Sequence, residues 1–343
     1  MAGLDIGSSS IKVVELKRSR GNLEAAHCGL EDLPRDLVVD SMIADAGTVS
    51  IAIARLFATA GIKTRDLVTA VSGHSVILKK ITLPIASDQA LPEAIQREAT
   101  LHIPFDLADV NLDYQVLSEQ RERGQLEILL VAVKKDKILN YTQALSLAGK
   151  NAAVVDIDSL ALLNCYEYNY APGAEDVVAL LNLGASILNI NIVKGICPLF
   201  PRDVSMGGHQ YTEALQRELQ LSYEEAEALK RGSAADSPHG DARLPILKQV
   251  TESILLEIQK TFDFFRASAE GEPIAKIYLA GGSSRVDGLA EALQEEFSLP
   301  VEFLDPFLKI SRPSQADAAE VAQHHPEQMA VAVGLALRSF NDV

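Results

Sequence analysis

Residues 3–16 read G-L-D-I-G-S-S-S-I-K-V-V-E-L, and the fold follows from how this stretch is understood. An apolar run carries one acid, a glycine followed by three serines makes a turn, and a second apolar run leads away. The pattern predicts strand, tight turn, strand. Gly7 lets the backbone adopt a positive φ and lets an anion approach closely. The amides and hydroxyls of Ser8, Ser9 and Ser10 can then donate to phosphate oxygens. Asp5, near the end of the first strand, is positioned to hold a hydrated Mg²⁺. Read alone, the stretch is equally a plain β-hairpin with a Gly-Ser-rich turn.

The chain repeats the pattern. From residue 181 it reads L-N-L-G-A-S-I-L-N-I-N-I-V, with Gly184 at the position of Gly7, Ala185 at that of Ser8, Ser186 at that of Ser9 and Asn182 at that of Asp5. Two such hairpins in one register imply a duplicated α/β domain closing on a single ligand. A third element, I-Y-L-A-G-G-S-S-R-V-D-G at 277–288, is an apolar strand running into Gly281, Gly282 and Ser283 and then a helix.

Together these elements resemble phosphate-1, phosphate-2 and the adenosine motif of the actin-like ATPase superfamily, which includes actin, heat-shock chaperone ATPases and sugar kinases. The resemblance implies an α/β, actin-like ATPase fold with two ribonuclease-H-like lobes and ATP with Mg²⁺ between them. It narrows further at R-E-A-T-L-H-I-P-F-D-L-A-D-V-N-L-D-Y-Q-V-L (97–117), V-V-D-I-D-S-L-A-L-L-N (154–164) and P-L-F-P-R-D-V-S-M-G-G (198–208). With the opening stretch, these are similar to the PilM family of type IV pilus assembly proteins, relatives of the cell-division protein FtsA. That family carries a relocated, inserted subdomain, 1C.

The expected layout follows. Residues 1–73 begin the first lobe (1A), with a meander strand over 23–33, a helix over 41–60 and a strand over 66–72. Residues 74–152 are the 1C insertion, β-α-β-β-α in order, and 153–175 return to the first lobe through the connect-1 helix. The second-lobe core (2A) is 176–206. Residues 207–272 form subdomain 2B, including a surface loop over 232–244 and a long helix over 246–265. The second core resumes at 273–325 with the adenosine motif, and 326–343 form the connect-2 helix.

Composition agrees with this class. The 343 residues suffice for two lobes with sizeable cores. A net charge of −16 argues against nucleic-acid binding, which needs a basic face. Cys28, Cys165 and Cys197 are odd in number and far apart, the pattern of core thiols rather than of disulfides or a zinc site. No apolar run approaches the roughly 18 residues a membrane span needs, and Met1 leads straight into the first strand. The expected location is cytoplasmic, peripheral to the inner membrane through a partner.

Site roles come in pairs of readings. Lys12 is a phosphate ligand or a solvent-facing strand residue. Asp156 is a metal or water contact or a satisfied structural carboxylate, and Asp158 is a water-orienting acid or a helix N-cap. Glu227 and Lys230, after a capping box of Ser222 and Glu225, reach ribose in relatives of this type, yet an ordinary i,i+3 ion pair looks the same. Asn182 stands where hydrolases of the superfamily carry aspartate. A neutral amide cannot supply the negative charge, so slow or absent turnover is expected. His324 and His325 are expected to be solvated.

The resemblance also implies the role: an ATP-binding scaffold whose 1A/1C groove, near 85–116, takes the N-terminal tail of a PilN-like inner-membrane protein. It adds pilus motor ATPases and self-association as further contacts. Two rivals use the same fold. An FtsA-like filament protein is expected to end in an amphipathic membrane helix, which residues 338–343 do not provide. A small-molecule kinase needs a catalytic base facing a small-molecule pocket, for which the sequence offers no convincing candidate.

Overall fold

The computed structural model describes residues 2–19, 21–85, 91–233, 239–268, 271–313 and 322–341. Two five-stranded sheets form the frame. In the first, β1 (Ala2–Ile6), β2 (Ser10–Ser19) and β3 (Asn22–Asp32) make an antiparallel meander; of two later strands of lobe 1, Asp66–Val71 pairs in parallel with β1 and Asn151–Ile157 in parallel with Asp66–Val71. In the second, Val177–Leu183, Leu188–Lys194 and Cys197–Val204 make the meander, while Lys276–Ala280 and Val301–Phe303 add in parallel. Each sheet therefore shows the same succession of pairings, outward from the meander.

Between β3 and Asp66–Val71 in the chain lie the pair β4 (Val38–Val39) and β5 (Met42–Ile43), then α1 (Ala46–Thr59). With β6 as Asp66–Val71, the insertion comprises β7 (Val76–Pro84), α2 (Leu91–His102), β8 (Val110–Gln120) and β9 (Gln125–Lys134), a sheet of order β7-β9-β8. It has its own core of Ile81, Leu83, Ile95, Ala99, Ile128 and Leu130. The chain returns through α3 (Lys135–Leu147) to β10 (Asn151–Ile157) and α4 (Asp158–Tyr170). In the second lobe, strands β11 to β15 are the five named above in chain order. The helices are α5 (Gly208–Leu219), α6 (Tyr223–Lys230), α7 (Gly240–Ala267), α8 (Leu289–Phe297) and finally α9 (Ala330–Asn341).

Registers in the two meanders coincide. Asp5 faces Lys12 across β1 and β2, and Asn182 faces Asn189 across β11 and β12. Gly7 donates its amide to Ser10 O at 3.1 Å, and Gly184 donates its amide to Ile187 O at 2.9 Å. The repeat read in the sequence is thus a repeat in space.

The lobes are joined by two crossing helices. α4 packs on β11 and β12, while α9 packs on β1, β2 and β6. They share one interlobe core with Val14, Leu16, Leu162, Tyr166, Leu180, Val333 and Ala336. Small residues make the crossing close: a β-carbon on Gly334 would lie 1.8 Å from Ala161 O, and one on Gly3 would lie 2.2 Å from Ala332 O. Burying each Val or Leu of α9 stabilises by about 1.5–3 kcal/mol relative to exposure. At the other edge Ser311 bridges to the strand β3, with Ala25 N donating to Ser311 O at 2.9 Å and Ser311 N donating to Leu23 O at 3.0 Å.

Three local expectations are corrected. Helix α1 starts at Ala46 rather than residue 41, because Asp40 and Ser41 take positive φ and turn β4 into β5; Asp45 then caps the helix by accepting from Thr48 N. Residues 240–244, expected in a loop, form the first turn of α7, and 234–238 of that loop lie outside the described residues. Asp158 is not an N-cap: Ile157 occupies that position, and Asp158 is the first helical residue. Residues 86–90, just before α2, and the last two residues of the chain also lie outside the described residues.

The crossing generates a stability prediction. Gly334→Ala has nowhere to put its methyl group without moving α4, so it is expected to lower unfolding free energy by about 2–4 kcal/mol in urea titration. An unchanged midpoint would mean that the helices separate more easily than this packing implies.

Candidate functional site

The two meander turns face each other across a cavity of about 860 Å³ between the lobes. Its lining contains Asp5, residues 7–10, Lys12, Asp158, Asn182, residues 184–186, Glu227, Lys230 and residues 281–283. Every sequence-derived candidate is there but one. Asp156 is buried off the cleft: its Oδ1 accepts from Ile157 N at 2.8 Å and its Oδ2 lies 3.5 Å from Arg338 Nε on α9. The structural-carboxylate reading describes its surroundings.

On the first turn, Lys12 Nζ lies 3.2 Å from Asp5 Oδ2, and both side chains are largely buried. Cross-strand pairing makes this contact, since Asp5 and Lys12 are direct partners in the ladder. The site thus offers an anion and a cation that can separate toward a divalent metal and a phosphate.

The second turn is built against α5. Gly208 N donates to Gly184 O and His209 N donates to Ala185 O, at 2.9 and 2.8 Å, and a β-carbon on Gly207 would strike both carbonyls. Ser186 Oγ and His209 Nδ1 are hydrogen-bonded at 3.1 Å. Burial pushes the imidazole's pKa below its ordinary value, helped by Lys230 and Arg35 against Glu227 and Glu213. The helix N-terminus adds positive partial charge beside the turn.

Beside that turn, Gly281 at φ +94 lies so near Leu183 O and Asn182 Oδ1 that any side chain would collide with both. Glu227 and Lys230 form an ion pair at 2.6 Å. Lys230 also donates to Gly208 O and Thr212 Oγ1, and Thr212 Oγ1 donates to Glu227 Oε2 at 2.7 Å. Burial works against the charge on Glu227, but Lys230, Thr212 and Arg231 together hold its pKa below the usual range.

At the cleft floor, acids gather. Asp158 is pushed up to about 7, by burial first and then by the charges of Asp5 and Asp203, against the Ser72 hydroxyl and Lys137. Asn182 Nδ2 donates to Asn189 Oδ1 at 2.8 Å, Asn189 Nδ2 donates to Asp203 Oδ1 at 2.7 Å, and Gly73 N in the other lobe donates to Asp203 Oδ2 at 2.5 Å. A carboxylate is therefore wired to Asn182 through one amide.

Sequence reasoning missed several of these groups. Asp203 had a signal, an acid set inside a strand; His209 had one too, an imidazole opening a helix after two glycines. Lys137, fully buried behind the cleft, had none, because a lysine in a first helical turn reads as solvated. His324 and His325 are exposed, as expected, at the cavity rim.

Asp158 carries the next prediction. Its folded pKa exceeds the unfolded value of about 3.8, so its contribution to stability is fully present below pH 3.8 and is lost as pH rises toward 7. Asp158→Asn removes that loss. It is expected to be more stable than the parent at pH 8 by on the order of 1–2 kcal/mol, with a smaller gap at pH 4.5. A gap that does not change with pH in thermal melts would contradict the assignment.

A family model described as "Type IV pilus assembly protein PilM" matches residues 3–340. Among solved structures, one titled "PilM-PilN type IV pilus biogenesis complex" is similar at TM-score 0.86 and 28% identity, covering 98% of this chain and 97% of that one. MreB 5 of Spiroplasma citri, solved with AMPPNP, aligns at TM-score 0.53 and 9% identity over 99% and 96% of the two chains, a likeness of fold alone. Of the curated proteins, ethanolamine utilization protein EutJ of Escherichia coli (strain K12) is 32% identical over 122 residues, 36% of this chain and 39% of EutJ. The chain spans about two fifths of the length of the curated relatives it matches. The architecture is that of the actin-like ATPases, α/β with two ribonuclease-H-like lobes.

Proposed function

Because the chain belongs to the type IV pilus assembly protein PilM family, we propose that it is an actin-like scaffold that binds ATP in its cleft and the N-terminal tail of a PilN-like membrane protein on its inserted subdomain. The observation that carries the nucleotide half is the pair of turns, Gly7–Ser10 by position and its counterpart at 184–186, lining one cavity in one register.

Residues 7–10 and 184–186 would hold the phosphates, with Lys12 and the α5 N-terminus supplying positive charge. Asp5 would hold Mg²⁺ through water. Residues 281–283 and the Glu227–Lys230 pair would flank base and ribose. The donor set fits: glycines where a side chain would block approach, hydroxyls and a lysine for phosphate, a carboxylate for the metal. When bound, Mg²⁺ would neutralise phosphate charge.

Turnover is expected to be slow. Asn182 is a neutral amide that donates to Asn189, so it cannot accept a proton from an attacking water. Asp5, Asp32, Asp158 and Glu227 are the acids in the cavity wall, and Asp203 stands behind Asn189. This arrangement favours a nucleotide that is held rather than consumed.

For the partner half, the inserted subdomain exposes Ile85, Leu101, Tyr114 and Val116, with Leu101 73% exposed. Residues 86–90 of the expected groove lie outside the described residues. The solved neighbour is itself named as a complex of PilM with PilN. Among the described residues no helix is long and apolar enough to cross a membrane. Attachment to the inner membrane would then come through the partner, on the cytoplasmic side, with motor ATPases and further copies of the chain as later contacts. The family match favours this reading over an FtsA-like filament protein or a small-molecule kinase.

Two measurements test it. By calorimetry, ATP with Mg²⁺ is expected to bind the full chain, and Asp5→Asn to weaken that binding about tenfold, the loss of one charge-assisted contact; absence of binding by the parent chain would end the nucleotide reading. In fluorescence anisotropy with the partner's tail peptide, Tyr114→Ala is expected to weaken binding by about tenfold or more, as for an aromatic anchor. Equal affinity would move the tail site elsewhere.

A further inference from the structure

Residues 33–43 leave the edge strand β3 and lead to α1, with Val38 and Ser41 in the cavity wall. Their first half reaches the other lobe. The guanidinium of Arg35 stands 4.3 Å from the ring centroid of Tyr223, at the start of α6, and 3.6 Å from Glu213 Oε1 on α5. Arg35 is not part of the cavity wall. The ring it covers, Tyr223, does line the cavity.

The second half is clamped. Val38 pairs with Ile43 and Val39 with Met42, so Asp40 and Ser41 form a two-residue turn, at φ 49 and 57. That left-handed pair suits Asn-Gly or Asp-Gly and resists a residue such as serine. Helix α3 holds it in place. Lys137 Nζ donates to Ser41 O at 2.5 Å and Tyr141 OH to the same oxygen at 3.3 Å. Asn140 donates to Ile43 O at 2.9 Å and accepts from Ile43 N at 2.8 Å. Lys137 is 1% exposed, and a lysine so buried is costly unless its ammonium is used.

The clamp is continuous with the inserted subdomain. α3 follows directly on β9, the central strand of the inserted sheet. At the entry to that sheet, just before β7, Gly73 donates to Asp203 and His74 Nε2 lies 2.8 Å from Ser205 Oγ, both in the other lobe. The insertion thus enters at an interlobe contact and leaves through the clamp.

We propose that residues 33–43 are a strap over the mouth of the cleft, latched on the other lobe by Arg35 and set from the inserted subdomain by Lys137, so that the strap gates nucleotide entry and exit. The proposal rests on the reading of the cleft as a nucleotide site. A gate differs from a binding contact in a measurable way, because opening it eases passage in both directions.

The test is stopped-flow binding of N-methylanthraniloyl-ATP with Mg²⁺ to the full chain, together with hydrogen exchange of residues 36–44 without nucleotide. Arg35→Ala is expected to raise association and dissociation rates alike by about three- to fivefold, leaving Kd within about twofold. Arg35→Lys keeps the charge opposite Glu213 but loses the planar stack on Tyr223, so it falls between. Lys137→Met is expected to act in the same direction and to speed exchange at 36–44. Unchanged rates in Arg35→Ala, or a rise in dissociation alone, would overturn the gate. Should the parent chain bind no analogue, the nucleotide reading fails, and exchange alone decides the strap: faster exchange at 36–44 in Arg35→Ala upholds the latch, and unchanged exchange removes it.

Discussion

The crossing of α4 and α9 at Gly334 and Ala161 holds the rest in position, since there the backbones meet with no side chain between them. Each helix covers a sheet that belongs largely to the opposite lobe, so neither lobe can complete its core alone. Packing at this density leaves the two helices no room to approach further. The two turns that line the cleft are carried at the ends of β1 and β11, strands on which α9 and α4 respectively pack. Their separation is therefore set by helix packing, and the cleft inherits its width from residues that never touch it.

Around that frame, charge is arranged unequally. The first turn pairs Asp5 with Lys12, an acid and a base in one ladder step. The second has amides at both corresponding positions, Asn182 and Asn189, and its carboxylate stands one strand further out at Asp203. A negative charge displaced in this way still contributes to the field of the cleft floor, where it helps to raise the pKa of Asp158. It does so without lying against whatever occupies the turn. The inequality is chemical, because the backbone geometry of the two turns matches.

Much of this was legible in the sequence, and the reasons for success and failure are physical. The turns at Gly7 and Gly184 stood out as glycine and serine between apolar runs, although neither glycine takes the positive φ expected at Gly7 and each instead lies close to the carbonyl across its turn, Ser10 O or Ile187 O; the capping box of Ser222 and Glu225 was readable as a local pattern too. The start of α1 was misread because Asp40 and Ser41 hold left-handed conformations without a glycine to announce them; what stabilises them is Lys137, about a hundred residues later. The two readings of Asp156 could not be separated from local pattern, because Arg338, which stands beside it, comes from the far end of the chain. Interactions that span the fold leave no mark on local pattern. Local conformational demands do.

The bridge from Ser311 to β3 has a consequence for assembly. A sheet edge offers unpaired amides and carbonyls to any strand that comes alongside, and two copies meeting edge to edge could extend one sheet through both. Here the outer rim of the first meander is already partly occupied by a segment of the same chain, through the two hydrogen bonds that join Ser311 to Leu23 and Ala25. Along that stretch, sheet continuation into a neighbouring molecule is blocked. A higher-order array would have to pair away from residues 23–25 or pack through side chains.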